Sequence, residues 1–487
     1  MQQVHLRIND AATGQPTPVR LRITDASGTY YAPFGRLTEF ATGVNQDVGG
    51  NVQIGAKKWC YIDGTCEILL PPGQLHVEIS KGFEYKPIDE EVTLLAGKMS
   101  LRFTIERWCD MRKQGWYSGD TRVHFMTPDA ALLEGQAEDL AVVNLLAQQI
   151  VTDDSDGNSI NSIPNILSFS GQQFARIADN CGVAVGTFNG NLGLLHTHRV
   201  VYPLKIEPES NDWTLADWCG QCHRKKGLVA WRPFLNPRTA DLFFTEDLAC
   251  AILGMIDCCS LNENIRHTQS NRPYYRFANA GVVLPLVGES GKQSNNTTLG
   301  AMRTYAYLPP SEDFTFGAWI EALRAGRTFV SNGPVVLFKV NGEVQPSTLS
   351  ISRTDLPLKV CVEARSPVPF DVLELVWNGE VIATTTPSSA WPHETVLEHE
   401  FAPTKSGWIA VRCTMGSDKA AWCAPFAHTS FVVILLDDAP VPVNVEDINA
   451  LLAELDMLAA GYESAGQHRV LPILKEARTV IGKKLSQ

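Results

Sequence analysis

The sequence predicts an α/β fold in which a domain of alternating helices and strands lies between two β-sandwich domains and is followed by a C-terminal helical hairpin. Three patterns support it: apolar and polar residues alternate in 1–110 and 335–436, helix–glycine–strand units recur in 111–334, and apolar residues follow helical spacing in 444–487. The length of 487 residues agrees with a multidomain chain, because domains average about 150 residues.

Residues 1–110 are predicted to form the N-terminal β-sandwich. Four segments alternate apolar and polar side chains in the manner of half-buried strands: 4–8, 19–23, 75–79 and 101–105. The Pro71-Pro72-Gly73 sequence is typical of a turn between two such strands.

Residues 111–334 show a different pattern, in which predicted helices are followed by glycine and a short strand. A helix over 215–226 is expected to end at Gly227 in the left-handed conformation, and the strand 228–231 follows. The same form recurs with Gly254, before a strand expected from 255 to 257, and with Gly326. Such units indicate a parallel sheet, open or closed into a barrel, whose functional residues lie just past the strands.

The last two units complete the predicted architecture. In 335–436 the alternation returns, and Asn378-Gly379 is a strong hairpin signal for a second β-sandwich. In 444–487, Ile448, Leu451 and Leu455 follow the spacing of one helix face, and a second helix is expected from about 470 to 485.

Composition narrows the range of partners and locations. The formal net charge is −12 and no long basic run occurs, so a nucleic-acid partner is not expected. No run of about 18 apolar residues suits a membrane span, and the N-terminus lacks the apolar segment of a secretion signal. We therefore expect a cytoplasmic protein whose partners are neither nucleic acids nor membranes.

The greatest density of chemically active residues lies in 115–125. Within a strand, Asp120, Arg122 and His124 point to the same face because side chains alternate with period two. Three ionisable groups on one strand face mark a candidate site. The simpler interpretation is a buried Asp120–Arg122 ion pair beside a hydrogen-bonded histidine.

Here the sequence resembles a known family. Segment 115–124 reads Gly-Trp-Tyr-Ser-Gly-Asp-Thr-Arg-Val-His, and 138–146 reads Glu-Asp-Leu-Ala-Val-Val-Asn-Leu-Leu. With 216–225, 300–306, 323–334 and 427–430, these segments resemble the CehA/McbA family of PHP-domain metallohydrolases, whose namesakes hydrolyse the carbamate carbaryl. The resemblance implies a PHP-like distorted (β/α)7 barrel with a multinuclear metal site at the strand ends.

Several positions at which the family carries metal ligands hold other residues here. The family's site opens with a His-x-His pair, of which His124 is the second member and Arg122 replaces the first. The other substituted ligand positions align with 146–148, Asn191, Arg232 and Gly291. The resemblance therefore implies a degraded or remodelled metal site.

The substitutions change the chemistry that the site favours. An arginine cannot ligate a metal, because its guanidinium stays protonated and only donates hydrogen bonds. We expect Arg122, Arg232 and Lys292 to form a cationic pocket suited to a carboxylate or phosphate. Arg303 and Asn332, which lie in the shared motifs, are further candidates for substrate binding.

Two functions follow, and a third interpretation is structural. The first is a metal-dependent hydrolase of esters, carbamates or phosphoesters, with Asp120 and His124 as catalytic residues. A relocated Zn or Mn site of Asp120, His124 and His196 would then activate water. The second is a non-catalytic protein that binds anions or small molecules in an Arg-lined pocket without a metal. In the structural interpretation, Arg122 pairs with Asp120 or Glu138 and closes the site.

Overall fold

In the computed structural model, a curled sheet forms a half-barrel at the centre of the chain, with smaller sheets beside it and few helices. The structure describes residues 1–43, 48–147, 150–153, 159–162, 176–178, 181–198, 200–201, 213–235, 242–261, 272–415 and 424–486. The predicted α/β class is confirmed, and strands contribute more to the described fold than helices do.

The N-terminal domain consists of two sheets that enclose one apolar core. Its strands are β1 Gln2–Asp10, β2 Val19–Asp25, β3 Tyr30–Tyr31, β4 Asn51–Ile54, β5 Lys57–Ile62, β6 Thr65–Leu70, β7 Gly73–Ser80, β8 Ile88–Leu94 and β9 Ser100–Ile105. One sheet has the order β6-β1-β9, and the other has the order β4-β5-β2-β7-β8 with β3 beside β2. Alternate residues such as Leu6 and Val77 are fully buried between the sheets, as the alternation predicts.

The half-barrel follows a single-turn helix, Arg112–Gln114. Its principal strands are β10 Trp116–Val123, β11 Val142–Ala147, β15 Cys181–Asn189, β16 Leu192–Leu195, β17 Leu228–Trp231, β20 Cys258–Leu261, β21 Leu286–Gly288, β22 Arg303–Tyr307 and β23 Thr328–Ser331. Short strands accompany them: β12 Ile150–Asp153, β13 Ser159–Ser162, β14 Arg176–Ala178, β18 Phe234–Leu235 and β19 Leu242–Phe243. The helices of this region are α1 Pro128–Ala137, α2 Leu215–Arg224, α3 Asp247–Ile252, α4 Arg272–Asn279 and α5 Phe316–Arg324.

The sheet of the half-barrel is mixed, although the sequence pattern predicts a parallel one. Strands β10, β11, β15, β17, β20 and β21 run in one direction, whereas β16 and β22 run in the opposite direction. The reversal at β16 follows from its connection, because only Gly190 and Asn191 separate β15 from β16. A two-residue link joins antiparallel strands, whereas parallel strands need a long crossover.

The curl of the sheet brings β21 against β10, β22 and β23 through side-chain hydroxyl groups. Thr121 donates to the carbonyl of Gly288 at 3.0 Å, and the Gly288 N–H donates to the Thr304 hydroxyl at 2.7 Å. The Thr328 hydroxyl likewise donates to the carbonyl of Leu286 at 2.7 Å. These contacts place the residues that follow β21 beside the end of β10.

The central sheet continues into the C-terminal sandwich, since β23 pairs with β32 across the predicted boundary at 334. The strands of this region are β24 Val335–Val340, β25 Glu343–Val344, β26 Thr348–Ile351, β27 Leu358–Ser366, β28 Val372–Trp377, β29 Glu380–Thr385, β30 His393–Phe401, β31 Gly407–Thr414, β32 Ala427–Thr429 and β33 Val432–Leu436. A single-turn helix, Arg353–Asp355, precedes β27. A separate sheet of order β25-β24-β27-β30 shares an apolar core with the continued sheet.

Two C-terminal helices, α6 Val445–Ser464 and α7 Leu471–Lys483, form a hairpin that ends in a short turn, Lys484–Ser486. Ile448, Leu451 and Leu455 are buried in the same apolar cluster as residues of α2, α3 and β17. The helical spacing in the sequence therefore predicts the correct buried face. Among the residues that the structure describes, no helix is long and apolar enough to cross a membrane.

Two local expectations in the half-barrel are wrong. Lys226, not Gly227, has the left-handed conformation after α2, with φ of 59°. Gly227 is required by space, because a Cβ there would lie 2.6 Å from Sγ of Cys222. The strand expected over 255–257 begins only at Cys258, because the carboxylate of Asp257 accepts the Val229 N–H at 2.7 Å and holds that segment in a loop.

Candidate functional site

The candidate site lies at the edge of the half-barrel where the parallel strands end. His124 follows β10, Arg232 follows β17, and Glu289 and Ser290 follow β21. Because β10, β17 and β21 are parallel, their carboxyl ends lie at one edge, which is where α/β proteins generally build ligand sites. The structure thus brings together Asp120, Arg122, His124 and Arg232, as the sequence predicts.

Two guanidinium groups share one carboxylate at this edge. Nη1 of Arg122 donates to Oε1 of Glu289 at 3.1 Å, and Nε of Arg232 lies 3.1 Å from the same oxygen. The Arg122 side chain is 4% exposed, whereas that of Arg232 is 25% exposed. Arg232 is therefore the member of the pair that solvent reaches.

The surroundings of Arg122 confirm that it is enclosed. Its guanidinium carbon lies 4.1 Å from the centre of the Phe188 ring, a favourable cation–π distance. Burial lowers the pKa of Arg122 to about 10; the Glu289 carboxylate opposes this shift, and the nearby charge of Arg232 contributes to it. The expected ion-pair partners, Asp120 and Glu138, are wrong, because Arg122 forms its ion pair with Glu289 and Glu138 pairs with Arg20.

His124 is a hydrogen-bond acceptor for Arg122. Its Nε2 accepts the Nε proton of Arg122 at 2.7 Å, and its ring packs edge-on against Phe188 with centroids 5.0 Å apart. Burial holds the pKa of His124 well below its ordinary value, and the charge of Arg122 adds to this effect. The ring is therefore neutral, and its proton lies on Nδ1, because a nitrogen that accepts a hydrogen bond carries none.

Asp120 is fully buried and is held by backbone groups. Its Oδ1 accepts N–H groups of Arg122 and Ser290 at 3.1 Å each, and its Oδ2 accepts the Gly300 N–H at 2.8 Å. Burial raises the pKa of Asp120 to about 6, although these hydrogen bonds oppose the shift. Asp120 thus ties the segments after β21 and before β22 to β10.

Lys292 lies behind this edge in a buried ion pair of its own. Its Nζ is 3.2 Å from Oε2 of Glu134, and both side chains have no exposed surface. The ammonium also donates to the carbonyl of Thr297 at 2.7 Å. Lys292 therefore neutralises Glu134 on α1.

Arg303 and Asn332 bind backbone groups. Arg303 donates to the carbonyls of Gly300 and Glu138 at 2.9 and 2.8 Å, and its guanidinium stacks on Phe83. Asn332 donates to the carbonyl of Ala424 at 2.9 Å and accepts the Phe426 N–H at 2.7 Å. These contacts make Arg303 and Asn332 supports of the fold around the site.

The structure does not bring His196 to the predicted metal trio. His196 follows β16, which is antiparallel to β15 and β17, so it lies at the opposite edge from Asp120 and His124. Its ring packs against Phe316 at the start of α5, with centroids 5.1 Å apart. Within the described part of the chain, no group of three or more His, Cys, Asp or Glu side chains is arranged to hold a metal ion.

The positions that the sequence resemblance marks as substituted ligands lie together at this edge. The Gly291 N–H donates to the carbonyl of Arg122 at 3.1 Å, and the Arg232 N–H donates to the carbonyl of Asn191 at 2.8 Å. The backbone of Leu146 contacts the His124 ring. Position 148, also substituted, lies outside the described residues.

Sequence reasoning misses Glu289, the shared acceptor of both arginines, and Glu134, the partner of Lys292. A signal exists for each. Glu289 directly follows a short apolar strand at the edge where the site is expected, and Glu134 lies inside the apolar run of α1.

Comparisons of the chain with family models, with curated proteins and with solved structures find no match.

Proposed function

We propose that this protein binds a small anionic ligand, a carboxylate or a phosphate, at the edge of the half-barrel, with Arg232 as the contact residue and Arg122 behind it. One observation carries the proposal: Arg122 and Arg232 lie on a single carboxylate, that of Glu289, at 3.1 Å each. Two guanidiniums on one carboxylate leave donor capacity for a second anion, and Arg suits such recognition because its planar fork matches carboxylate and phosphate oxygens.

The exposure of Arg232 supports this role. Its Nε end is turned to Glu289, and none of the described residues hydrogen-bonds its two terminal nitrogens. Behind it, Arg122 is fixed by Glu289, His124 and Phe188, so its charge is held in place. A preorganised cation beside a reachable one lowers the entropic cost of binding.

The same contacts favour binding over hydrolysis. A metal ligand or general base needs a free lone pair, yet Nε2 of His124 is engaged by Arg122. Both oxygens of Asp120 accept backbone N–H groups. We further propose that the half-barrel derives from a PHP-like (β/α)7 barrel of the CehA/McbA type in which the Arg122 guanidinium occupies the place of the metal. The convergence of Arg122, Asn191, Arg232 and Gly291 at one edge supports this origin.

Calorimetric titration with inorganic phosphate and with benzoate tests the proposal. We expect Arg232→Gln to weaken binding of at least one of these anions about 10-fold or more, since a hydrogen bond to a charged group contributes about 1.5–3 kcal/mol. The matched control is Arg102→Gln, because Arg102 is an exposed arginine of β9. Equal affinity of Arg232→Gln and Arg102→Gln for both anions would refute the proposal.

A further inference from the structure

A cleft lies at the edge of the half-barrel opposite to the candidate site, where the parallel strands begin. It has a volume of about 1000 Å³. Its walls are the β1–β2 turn and the segment 106–113, and Asp139 and Cys181 lie on its floor. We call it the amino-edge cleft. Its size is at the upper end of the range for small-molecule pockets.

Lys81 is the unusual residue of this cleft. It is 5% exposed, and its ammonium donates to the backbone carbonyls of Pro18 and Gln136 at 2.9 and 2.7 Å. Both acceptors are neutral, and no described carboxylate lies within ion-pair distance of its Nζ. Buried charges are normally paired with an opposite charge, so Lys81 is a buried cation that lacks a counter-ion in direct contact.

The charged groups near Lys81 do not supply the counter-ion that it lacks. The Asp139 carboxylate on the floor is bound by Arg107 at 2.8 and 2.9 Å, and Arg112 lies 3.6 Å from its Oδ1. Burial lowers the pKa of Lys81 to about 8; Asp139 opposes this, and Arg107 and Arg112 add to it. Arg107 also donates to Oε2 of Glu84 at 2.8 Å, so two carboxylates face the two arginines, and neither carboxylate lies within ion-pair distance of Lys81.

Two further carboxylates that line the cleft bind other partners, and a third, Glu106, is exposed to solvent. Asp10 accepts the N–H groups of Ala12 and Thr13 and the hydroxyl of Tyr85. Asp110 pairs with Lys113 at 3.2 Å. Tyr85 and Trp108 add aromatic surface to the wall. The cleft thus has an aromatic wall and an ammonium that no described carboxylate approaches within ion-pair distance.

From this geometry we infer that the amino-edge cleft is a second ligand site, which binds an organic anion with its carboxylate or phosphate against Lys81 and Arg112 and its apolar body against Trp108. The anion supplies the counter-charge that Lys81 lacks. This site is separate from the Arg122–Arg232 site, since the two lie at opposite ends of the parallel strands.

Calorimetry with phenyl phosphate tests the inference in the full-length chain. In the Arg232→Gln background, which weakens the first site, we expect about one remaining site per chain. Adding Lys81→Met should weaken that site at least 10-fold, whereas adding Lys475→Gln, an exposed lysine of α7, should leave it unchanged. Full retention of the site in Arg232→Gln/Lys81→Met, or no site in Arg232→Gln, would overturn the inference.

A measurement on the unsubstituted chain covers the case in which Lys81→Met does not fold. The rate of Lys81 acetylation by acetic anhydride is followed by peptide mass spectrometry with and without phenyl phosphate. We expect the ligand to slow acetylation of Lys81 several-fold and to leave Lys475 unaffected; equal slowing of both lysines, or of neither, contradicts the inference. Failure of the Arg122–Arg232 site is recognised separately, because Arg232→Gln and the unsubstituted protein would then bind phosphate with equal affinity.

Discussion

Arg122 donates its Nε proton to Nε2 of His124 at 2.7 Å, and the two side chains lie two residues apart at the end of one strand. A histidine in this arrangement is neutral and orients the guanidinium toward Glu289. The same lone pair that a metal would need is used to hold an arginine. This relationship connects the resemblance to a metallohydrolase with the proposed anion site.

Replacing the acceptor ring should destabilise the protein. His124→Phe leaves the buried Nε–H of Arg122 without its partner, and an unsatisfied buried donor costs about 1–3 kcal/mol. Chemical denaturation measures the change, and His468→Phe, at an exposed histidine beyond α6, is the control. A loss below about 0.5 kcal/mol relative to that control would show that the hydrogen bond does not stabilise the fold.

The pH dependence of stability should carry the signature of Asp120. Burial raises its pKa from 3.8 to about 6, so the folded chain holds this proton more tightly than the unfolded chain. The stabilising contribution is therefore complete below about pH 4 and is lost as the pH rises through 6. At about 1.4 kcal/mol per pH unit, the loss is roughly 3 kcal/mol.

The difference in unfolding free energy between the unsubstituted protein and Asp120→Asn isolates this effect. Between pH 4 and 7 that difference should change by the stated amount, with the unsubstituted protein losing stability relative to the variant. A difference that stays constant across this range would show that Asp120 has an ordinary pKa.

Introducing a His-x-His pair at the end of β10 should create metal affinity. Arg122→His removes the guanidinium and frees Nε2 of His124. The new imidazole adds one more side chain that can ligate a metal at the end of the strand that carries Asp120 and His124. Elemental analysis after equilibration with Zn or Mn and desalting should show more bound metal in Arg122→His than in the unsubstituted protein. About one tightly held metal in the unsubstituted protein, lost in His124→Phe, would instead support the hydrolase hypothesis.

The Lys292–Glu134 pair should be essential to the fold. Burial raises the pKa of Glu134, and the Lys292 charge opposes that shift. Lys292→Met leaves the carboxylate buried without its counter-charge, and breaking such a pair costs about 3–5 kcal/mol. In the double variant Lys292→Met/Glu134→Gln the loss should be smaller, because the amide can still accept the Gly50 N–H that Glu134 accepts at 2.8 Å.

Denaturation of the two variants side by side is the measurement. If the single and double variants lose the same free energy of unfolding, the penalty comes from packing of Lys292 and not from its charge.

Local patterns in the sequence predict much of the fold and part of the site. The period of a strand places Asp120, Arg122 and His124 on one face, and the apolar periodicity predicts the C-terminal helices and the buried face of α6. Local patterns do not predict the direction in which a strand runs within its sheet. The short link at Gly190 reverses β16 and carries His196 to the opposite edge.

Long-range partners are the other part that the sequence leaves open. Glu289 meets Arg122 across 167 residues of chain because the sheet curls and β21 returns to β10. No spacing rule links two such positions. The sequence therefore predicts a cationic pocket but cannot show that its two arginines share one carboxylate.

A crystal structure grown with selenate, whose selenium scatters anomalously, tests the central claim most directly. The account predicts an anomalous peak at the carboxyl edge of the half-barrel, with selenate oxygens within hydrogen-bond distance of the terminal nitrogens of Arg232. The absence of that peak at selenate concentrations that saturate binding in solution, or a metal ion bound by Asp120 and His124 in its place, would contradict it.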